Sequence, residues 1–360
     1  MTDIDDKTVA WASAVEIERQ KPGFLLSHFM ETVYFYSDEV SYDVGETQET
    51  PAAPVAQGSP GPRLNRFDTF TNIKYVPPFY REGVKYNRKD GKQRALGEDP
   101  ITAAQRGGVQ RILSRMMADS GRLATKIQRA LEVQASQIFQ TGALDIKVPD
   151  GASGYQVDFQ SNDDNFFTVS TLWSDASATP IDDLLQGADS VDSTGKIPVQ
   201  RMVMNGATFQ HFVRNDSVSK VFDNRNMNLG ELDPVFEGTG ASKQGFVAAS
   251  GHRLDVWTYD EKYMDVETSA LVKYIPDGKV CLLPDPRRAR MRRLHSQIEL
   301  LRPPDPRLAP YLPSRISGPG VEFTPNAYFS EDGHGLTFEL ESGVLLAPGN
   351  VNSFACLTVL

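Results

Sequence analysis

Cysteine is nearly missing from this chain: 360 residues carry two, Cys281 and Cys356. Both fall in apolar, strand-like runs (280–283 and 354–360), so a disulfide-stapled scaffold is excluded and the pair reads as buried free thiols. Histidine is scarce too. His28, His211, His252, His295 and His334 are scattered, none with a second ligand at metal spacing, and each reads as a structural side chain. There is no HExxH, no paired CxxC and no GxSxG elbow, which removes the commonest metal-dependent and nucleophilic designs. Gly238 to Lys243 superficially looks like a phosphate loop but lacks the Gly-Lys-Ser/Thr ending. No apolar run approaches the roughly twenty residues of a membrane-spanning helix. A basic leader is absent as well, since Met1 is followed by Asp3, Asp5 and Asp6, so manufacture and retention in a cytoplasm are expected. Positive charge is in deficit, 37 Lys and Arg against 47 Asp and Glu, and a general nucleic-acid binder is excluded. Any DNA contact must be local.

What the chain has is enough apolar matter for a core: 40% hydrophobic residues, with 19 Phe and 12 Tyr. Its length allows two modest domains or one with large extensions. The dominant feature is a predicted helix over 102–142, about 60 Å long at 1.5 Å per residue. Val109, Ile112, Leu113, Met116, Leu123, Ile127, Leu131, Ala135 and Ile138 recur at threes and fours as one buried stripe. Thr102 can cap its start and Gly142 can end it. Most helices run about three turns, so this one reads as a beam.

Around the beam the chain reads mostly as strand. Val9, Trp11, Val15 and Ile17 give a short amphipathic helix signal before the Pro22-Gly23 break, and 24–44 alternates with a period of two. Prolines and glycines punctuate 45–62, strand character returns over 63–86, and a basic tip of Lys85, Arg88, Lys89, Lys92 and Arg94 follows. The section 38–101 is thus predicted as a two-stranded excursion, and an isolated hairpin is marginal in water. It should rest on something else. Beyond the beam, strands are predicted at 155–159, 166–172, 201–204, 254–259, 270–275, 279–283, 336–340, 344–346 and 353–360. Helices are predicted at 181–191 and 208–214, a glycine-rich loop at 238–251, and loop again over 284–319. Two basic features stand out. Arg106, Arg111, Arg115, Arg122, Lys126 and Arg129 lie largely off the apolar stripe and read as a solvated face, with nucleic-acid contact ranked just behind. Arg287, Arg288, Arg290, Arg292 and Arg293 crowd five guanidiniums into one short segment, which needs acidic or phosphate partners from a neighbouring subunit or DNA.

Read in order from about Phe24 to Leu360, these pieces resemble the phage major capsid protein E family, the lambda-type major capsid protein with the Hong Kong 97-like (HK97-like) fold. The likeness is carried by Phe24-Leu25-Leu26-Ser27-His28-Phe29-Met30-Glu31, by Tyr75-Val76-Pro77-Pro78 with Val84, and by Gly97-Glu98-Asp99-Pro100. Thr141-Gly142-Ala143-Leu144, Met202-Val203-Met204-Asn205-Gly206 with Phe209 and Phe212, Leu282-Leu283-Pro284, and Leu345-Leu346-Ala347-Pro348 with Phe354 complete it. The resemblance implies an α+β fold with an N-terminal arm (1–37), an extended loop (38–101) and a peripheral domain (102–179) built on the spine helix. An axial domain (180–318) and C-terminal strands (319–360) would follow. It implies no enzyme and no cofactor, but a subunit of hexamers and pentamers closing an icosahedral head around double-stranded DNA and expanding on maturation. Portal, separate scaffolding protein or protease, and decoration protein would be its partners, with assembly in the bacterial host cytoplasm and no membrane. Tyr75, Val76, Lys85, Tyr86, Arg88, Lys89 and Lys92 would meet a neighbouring subunit, and Ile112, Met116, Leu123, Ile127 and Leu131 would pack the spine. A loop lysine crosslinked to a neighbour's asparagine ranks below a decoration protein. Two alternatives stand beside it: a cellular nanocompartment shell of the same fold, and a β-rich hydrolase around 255–267 using Asp260 and Glu261.

Overall fold

The computed structural model describes residues 23–37, 39–45, 70–92, 108–147, 154–222, 230–236, 240–296, 298, 308, 322–330 and 335–360. The helix signal at 9–17, the loop residues 46–69 and the helix start at 102–107 lie outside them.

Two sheets are organised around one long helix, α1 (Gly108–Thr141). The smaller sheet is built on β17 (Gly335–Ala347). One edge of β17 carries β4 (Phe79–Asn87); the other carries β16 (Thr324–Phe329) and then, further along, β15 (Arg292–Ser296). β1 (Glu31–Phe35) adds to β15 in parallel. The larger sheet runs β7 (Phe166–Thr168), β18 (Ala355–Thr358), β14 (Lys279–Pro284), β8 (Val199–Met204), β11 (His252–Tyr259), β10 (Ala241–Ala249), β9 (Gly230–Phe236). Three two-stranded ribbons complete the strands: β2 (Val40–Gly45) with β3 (Phe70–Tyr75), β5 (Ala143–Ile146) with β6 (Tyr155–Asp158), and β12 (Lys262–Met264) with β13 (Leu271–Lys273).

The larger sheet separates two cores, and its strands are apolar on both faces for that reason. Successive side chains point to opposite sides. In β14, Val280 and Leu282 enter the core beneath α2 (Pro180–Gly195), α3 (Gly206–Arg214) and α4 (Asp216–Phe222), while Cys281 and Leu283 enter the core shared with α1. β18 repeats the pattern, with Ala355 and Leu357 on one side and Cys356 on the other. A third core joins the first half of α1 to β4, β16 and β17 through Tyr86, Leu113, Met116, Leu123, Ile127, Phe338 and Leu340.

Several expectations change. The excursion is not two-stranded throughout: β2 and β3 pair with each other, but β4 leaves the ribbon and zips along nine residues of β17. The ladder and the burial of Tyr86 give β4 a partner inside its own protomer. The two strands expected at 336–340 and 344–346 are one. Its polar interruption at Glu341-Ser342-Gly343 pairs with β4 throughout, Glu341 pairs also with β16 and Gly343 with β15, and Glu341 meets Arg81 at 3.1 Å. The loop expected at 238–251 contains β10, whose ladders to β9 and β11 both shift between Lys243 and Gly245; neighbours on both sides supply the hydrogen bonds that local propensity does not. Within 284–319 stand the short helix α5 (Pro286–Ala289) and β15. The strand expected at 166–172 stops at Thr168.

Candidate assembly surfaces

The arm is rooted by charged side chains reading its backbone. Residues Leu26–His28 form a single 3-10 turn, and such a turn leaves its first N–H groups without internal partners. Glu132, wholly buried on α1, accepts the N–H of Leu25 and of Leu26 at 2.9 Å each, and the Tyr259 hydroxyl at 2.8 Å. Arg293 takes the other polarity, donating to the carbonyls of Phe29 (2.8 Å) and Leu26 (3.1 Å). Burial pushes the Glu132 carboxyl above its usual range despite the three donors that favour its charge. His28 Nδ1 faces the Phe24 carbonyl at 3.2 Å, and its other nitrogen faces Arg201 at 3.4 Å. Burial and the Arg201 charge lower its pKa to about 4, so it is a neutral core group. One signal for this joint was in the sequence: a lone Glu, Glu132, adjoining the apolar stripe of a helix.

The residues expected to meet a neighbour divide. Tyr75 and Tyr86 are buried in the protomer, and their hydroxyls donate to the Asp158 carbonyl (2.7 Å) and the Asp119 carboxylate (2.6 Å). They serve this chain's own packing, because β3 ends and β4 runs against its own body. Val76, Lys85, Arg88, Lys89 and Lys92 are exposed. So are Met30, Val33, Tyr36 and Phe79, apolar side chains around β1 and the start of β4. Neighbouring strands also show a close approach: a Cβ on Gly83 would sit 2.9 Å from Glu339 Cγ. Glu339 lies across that gap to receive Arg81 at 2.6 Å and the Tyr328 hydroxyl at 3.2 Å.

On α1, Met116, Leu123, Ile127 and Leu131 are buried and Ile112 is half-buried. The expected single stripe holds only for the first half; beyond Leu131, Glu132, Gln134, Ala135, Ser136, Ile138 and Phe139 are all buried. The helix stops where Gly142 takes φ +68°, a conformation whose Cβ would also strike Ser161 at 2.8 Å. Its basic residues are partly spoken for: Lys126 pairs with Glu82 at 2.6 Å, Arg122 with Asp119 at 3.1 Å, and Arg111 faces the carbonyls of Gly91 and Lys92.

The arginine cluster also divides. Arg292 pairs with Glu31 at 2.9 Å and Arg293 holds the arm root, so these two are structural. Arg287, Arg288 and Arg290 are exposed on and just after α5. Of the hydrolase pair, Asp260 receives the Gly206 N–H at the start of α3 with both oxygens at 3.0 Å, and Glu261 lies against Gly240. Among the described residues no group of His, Cys, Asp and Glu is placed to hold a metal, and no helix is long and apolar enough to cross a membrane.

A putative capsid protein of a prophage from E. coli CFT073 has a similar structure, with a TM-score of 0.64 at 14% identity over 93% of this chain and 92% of that one. The capsid structure of cyanophage P-SCSP1u aligns at 0.51 and 9% identity over 99% and 93%. An encapsulin from Synechococcus elongatus PCC 7942 aligns at 0.47 and 11% over 96% and 92%. No curated protein matches the sequence. Matched over residues 7–359, the chain belongs to the phage major capsid protein E family, whose members are shell subunits, and it has the Hong Kong 97-like fold.

Proposed function

We propose that this capsid protein closes hexamers and pentamers into an icosahedral phage head around double-stranded DNA by covering on each copy the surfaces that a single copy leaves open. The carrying observation is the β2–β3 ribbon, whose strands pair with each other and, among the described residues, with no third strand. Two strands alone are marginal in water, and the chain continues through 46–69 from its far end. Exposed Tyr36, Val76 and Phe79 lie within four residues of its root along the chain, and exposed Met30 and Val33 belong to the arm before it. Burial against a neighbour would remove their apolar surface from water, at about 25 cal/mol per Å². Contacts between different patches of successive copies close into rings.

In this reading the peripheral unit is α1 with the smaller sheet, the axial unit is the larger sheet with α2–α4, and β4 belongs to the peripheral unit. Arg287, Arg288 and Arg290 face a neighbouring acidic surface or packaged DNA, while Arg292 and Arg293 stay with the arm. Scaffolding, portal and decoration proteins are partners supplied by other chains, and expansion is a rigid-body rearrangement of these units.

Removing 46–69 and closing the gap with a short turn tests the proposal by electron microscopy of the protein produced with its scaffold. The expected result is a folded protomer that forms no closed particle, beside closed particles from the parent; intact shells from the shortened chain would refute it. A wider cut through 45–95 would not test it, because β4 and the buried Tyr86 would be lost too.

A further inference from the structure

The chain's two cysteines are 75 positions apart, yet the fold sets them on one rung of the larger sheet. Cys281 of β14 is the direct antiparallel partner of Cys356 of β18. Both side chains enter the same core, where the Cys281 thiol donates to Cys356 Sγ at 3.9 Å. Directly paired antiparallel residues have Cα atoms about 4.5–5.5 Å apart, inside the roughly 4.4–6.8 Å range that a disulfide spans. Rotation about the Cα–Cβ bonds can therefore bring the sulfurs to bonding distance without moving a strand.

We propose that this pair is a covalent crosslinking site within the protomer, left as thiols during assembly in a reducing cytoplasm and closed to a Cys281–Cys356 disulfide once the protein meets a low-molecular-weight disulfide. The Cys356 thiolate attacks the small disulfide, forming a mixed disulfide and expelling one small thiolate. Cys281, as thiolate, then attacks Cys356 Sγ and expels the second. Two protein thiols are oxidised, one small disulfide is reduced to two small thiols, and the protein's protons pass to the leaving groups. The hydrogen bond to Cys356 and burial push Cys281 up, and the same product forms if the two cysteines exchange roles. Buried thiols react slowly, and access requires local opening of β18, a four-residue strand whose outer neighbour β7 has three residues. The bond would pin the C-terminal strand to the centre of the sheet and enclose β15, β16 and β17 in one covalent loop.

The test uses the purified full chain, as protomer and as particles, held for days in oxidised glutathione, with a dithiothreitol-treated control. Samples are then denatured, alkylated, and analysed by intact mass and non-reducing gel. The expected product carries no alkyl group, weighs about 2 Da less than the reduced chain (two hydrogens lost), runs as a faster monomer, and yields one peptide pair joining 281 to 356. Its urea midpoint should exceed that of the reduced chain, while the Cys281→Ala, Cys356→Ala double variant should show no such difference. Two alkylated cysteines after oxidation, persistent glutathione adducts, or dimers linked between chains would each overturn the proposal, and none of these results bears on shell formation.

Discussion

The two halves of α1 obey different rules. The first, through Lys126, is amphipathic in the ordinary way: Leu113, Met116 and Leu123 face the core while Ser114, Met117, Gly121 and Arg122 face water. The second is buried nearly all round, and most of the polar residues it carries there are bonded, Gln128 Oε1 being left without a partner. Glu132 holds the arm root, Gln134 exchanges hydrogen bonds with the backbone of Val344 and Leu346, and Ser136 and Gln140 both donate to the Tyr274 carbonyl. One half is a surface helix; the other is the axle on which the arm root, the smaller sheet and the larger sheet meet. A one-sided helix can be re-covered by a neighbour without loss to its own core. An axle cannot.

That contrast breaks most sharply at a single charge. Ile138→Asp places an unpaired carboxylate in a site that is 0% exposed and is expected to abolish cooperative unfolding altogether. Met117→Asp, at a residue 58% exposed, should stay within about 0.5 kcal/mol of the parent in urea. Similar melts for the two would erase the distinction.

Next in size is Glu132→Ala. It strands two backbone N–H groups and the Tyr259 hydroxyl in the core, and about 3 kcal/mol should be lost, read as a lower urea midpoint and faster proteolysis near 24–29. An unchanged midpoint would show that Arg293 and packing hold the arm root without Glu132.

A comparable effect belongs to pH. His28 has a folded pKa of about 4 against its ordinary 6.5, so between those values the unfolded chain binds more protons. Its contribution is therefore complete above about pH 6.5 and is lost as pH falls toward 4, by up to about 3 kcal/mol. Glu132, raised by burial, acts in the opposite sense over part of that range. The comparison that isolates His28 is parent minus His28→Gln. This difference should shrink on acidification, and parallel stability curves would contradict a neutral buried imidazole. Least of all, Lys126→Ala on the solvent-facing half removes only an exposed pair with Glu82 and should cost less than about 0.5 kcal/mol by thermal melt.

How legible the molecule was followed from how local each signal is. The stop at Gly142 and the spacing from Leu113 to Leu131 were readable because helix periodicity and termination are local. β10 was not: glycines at 240, 245 and 251 suggested a loop, and only the strands on either side make it a ladder. The joins in β17 and the departure of β4 from its ribbon were hidden because pairing partners some 250 residues apart leave no mark in either segment. Of the five clustered arginines, the charge was visible but the division into two anchors and three exposed groups was not, since it depends on where Leu26, Phe29 and Glu31 arrive.

The sequence by itself determined the beam, the apolar runs of β14 and β18, the acidic balance and the order of segments that marks the family, because periodicity, composition and order are properties of the chain alone. Only the tertiary structure decided that Glu132 reads the arm's backbone, that Tyr75 and Tyr86 belong to their own protomer and that two distant cysteines share a rung. Those facts are distances between residues far apart along the chain, and such distances come into being when the sheets close around the helix.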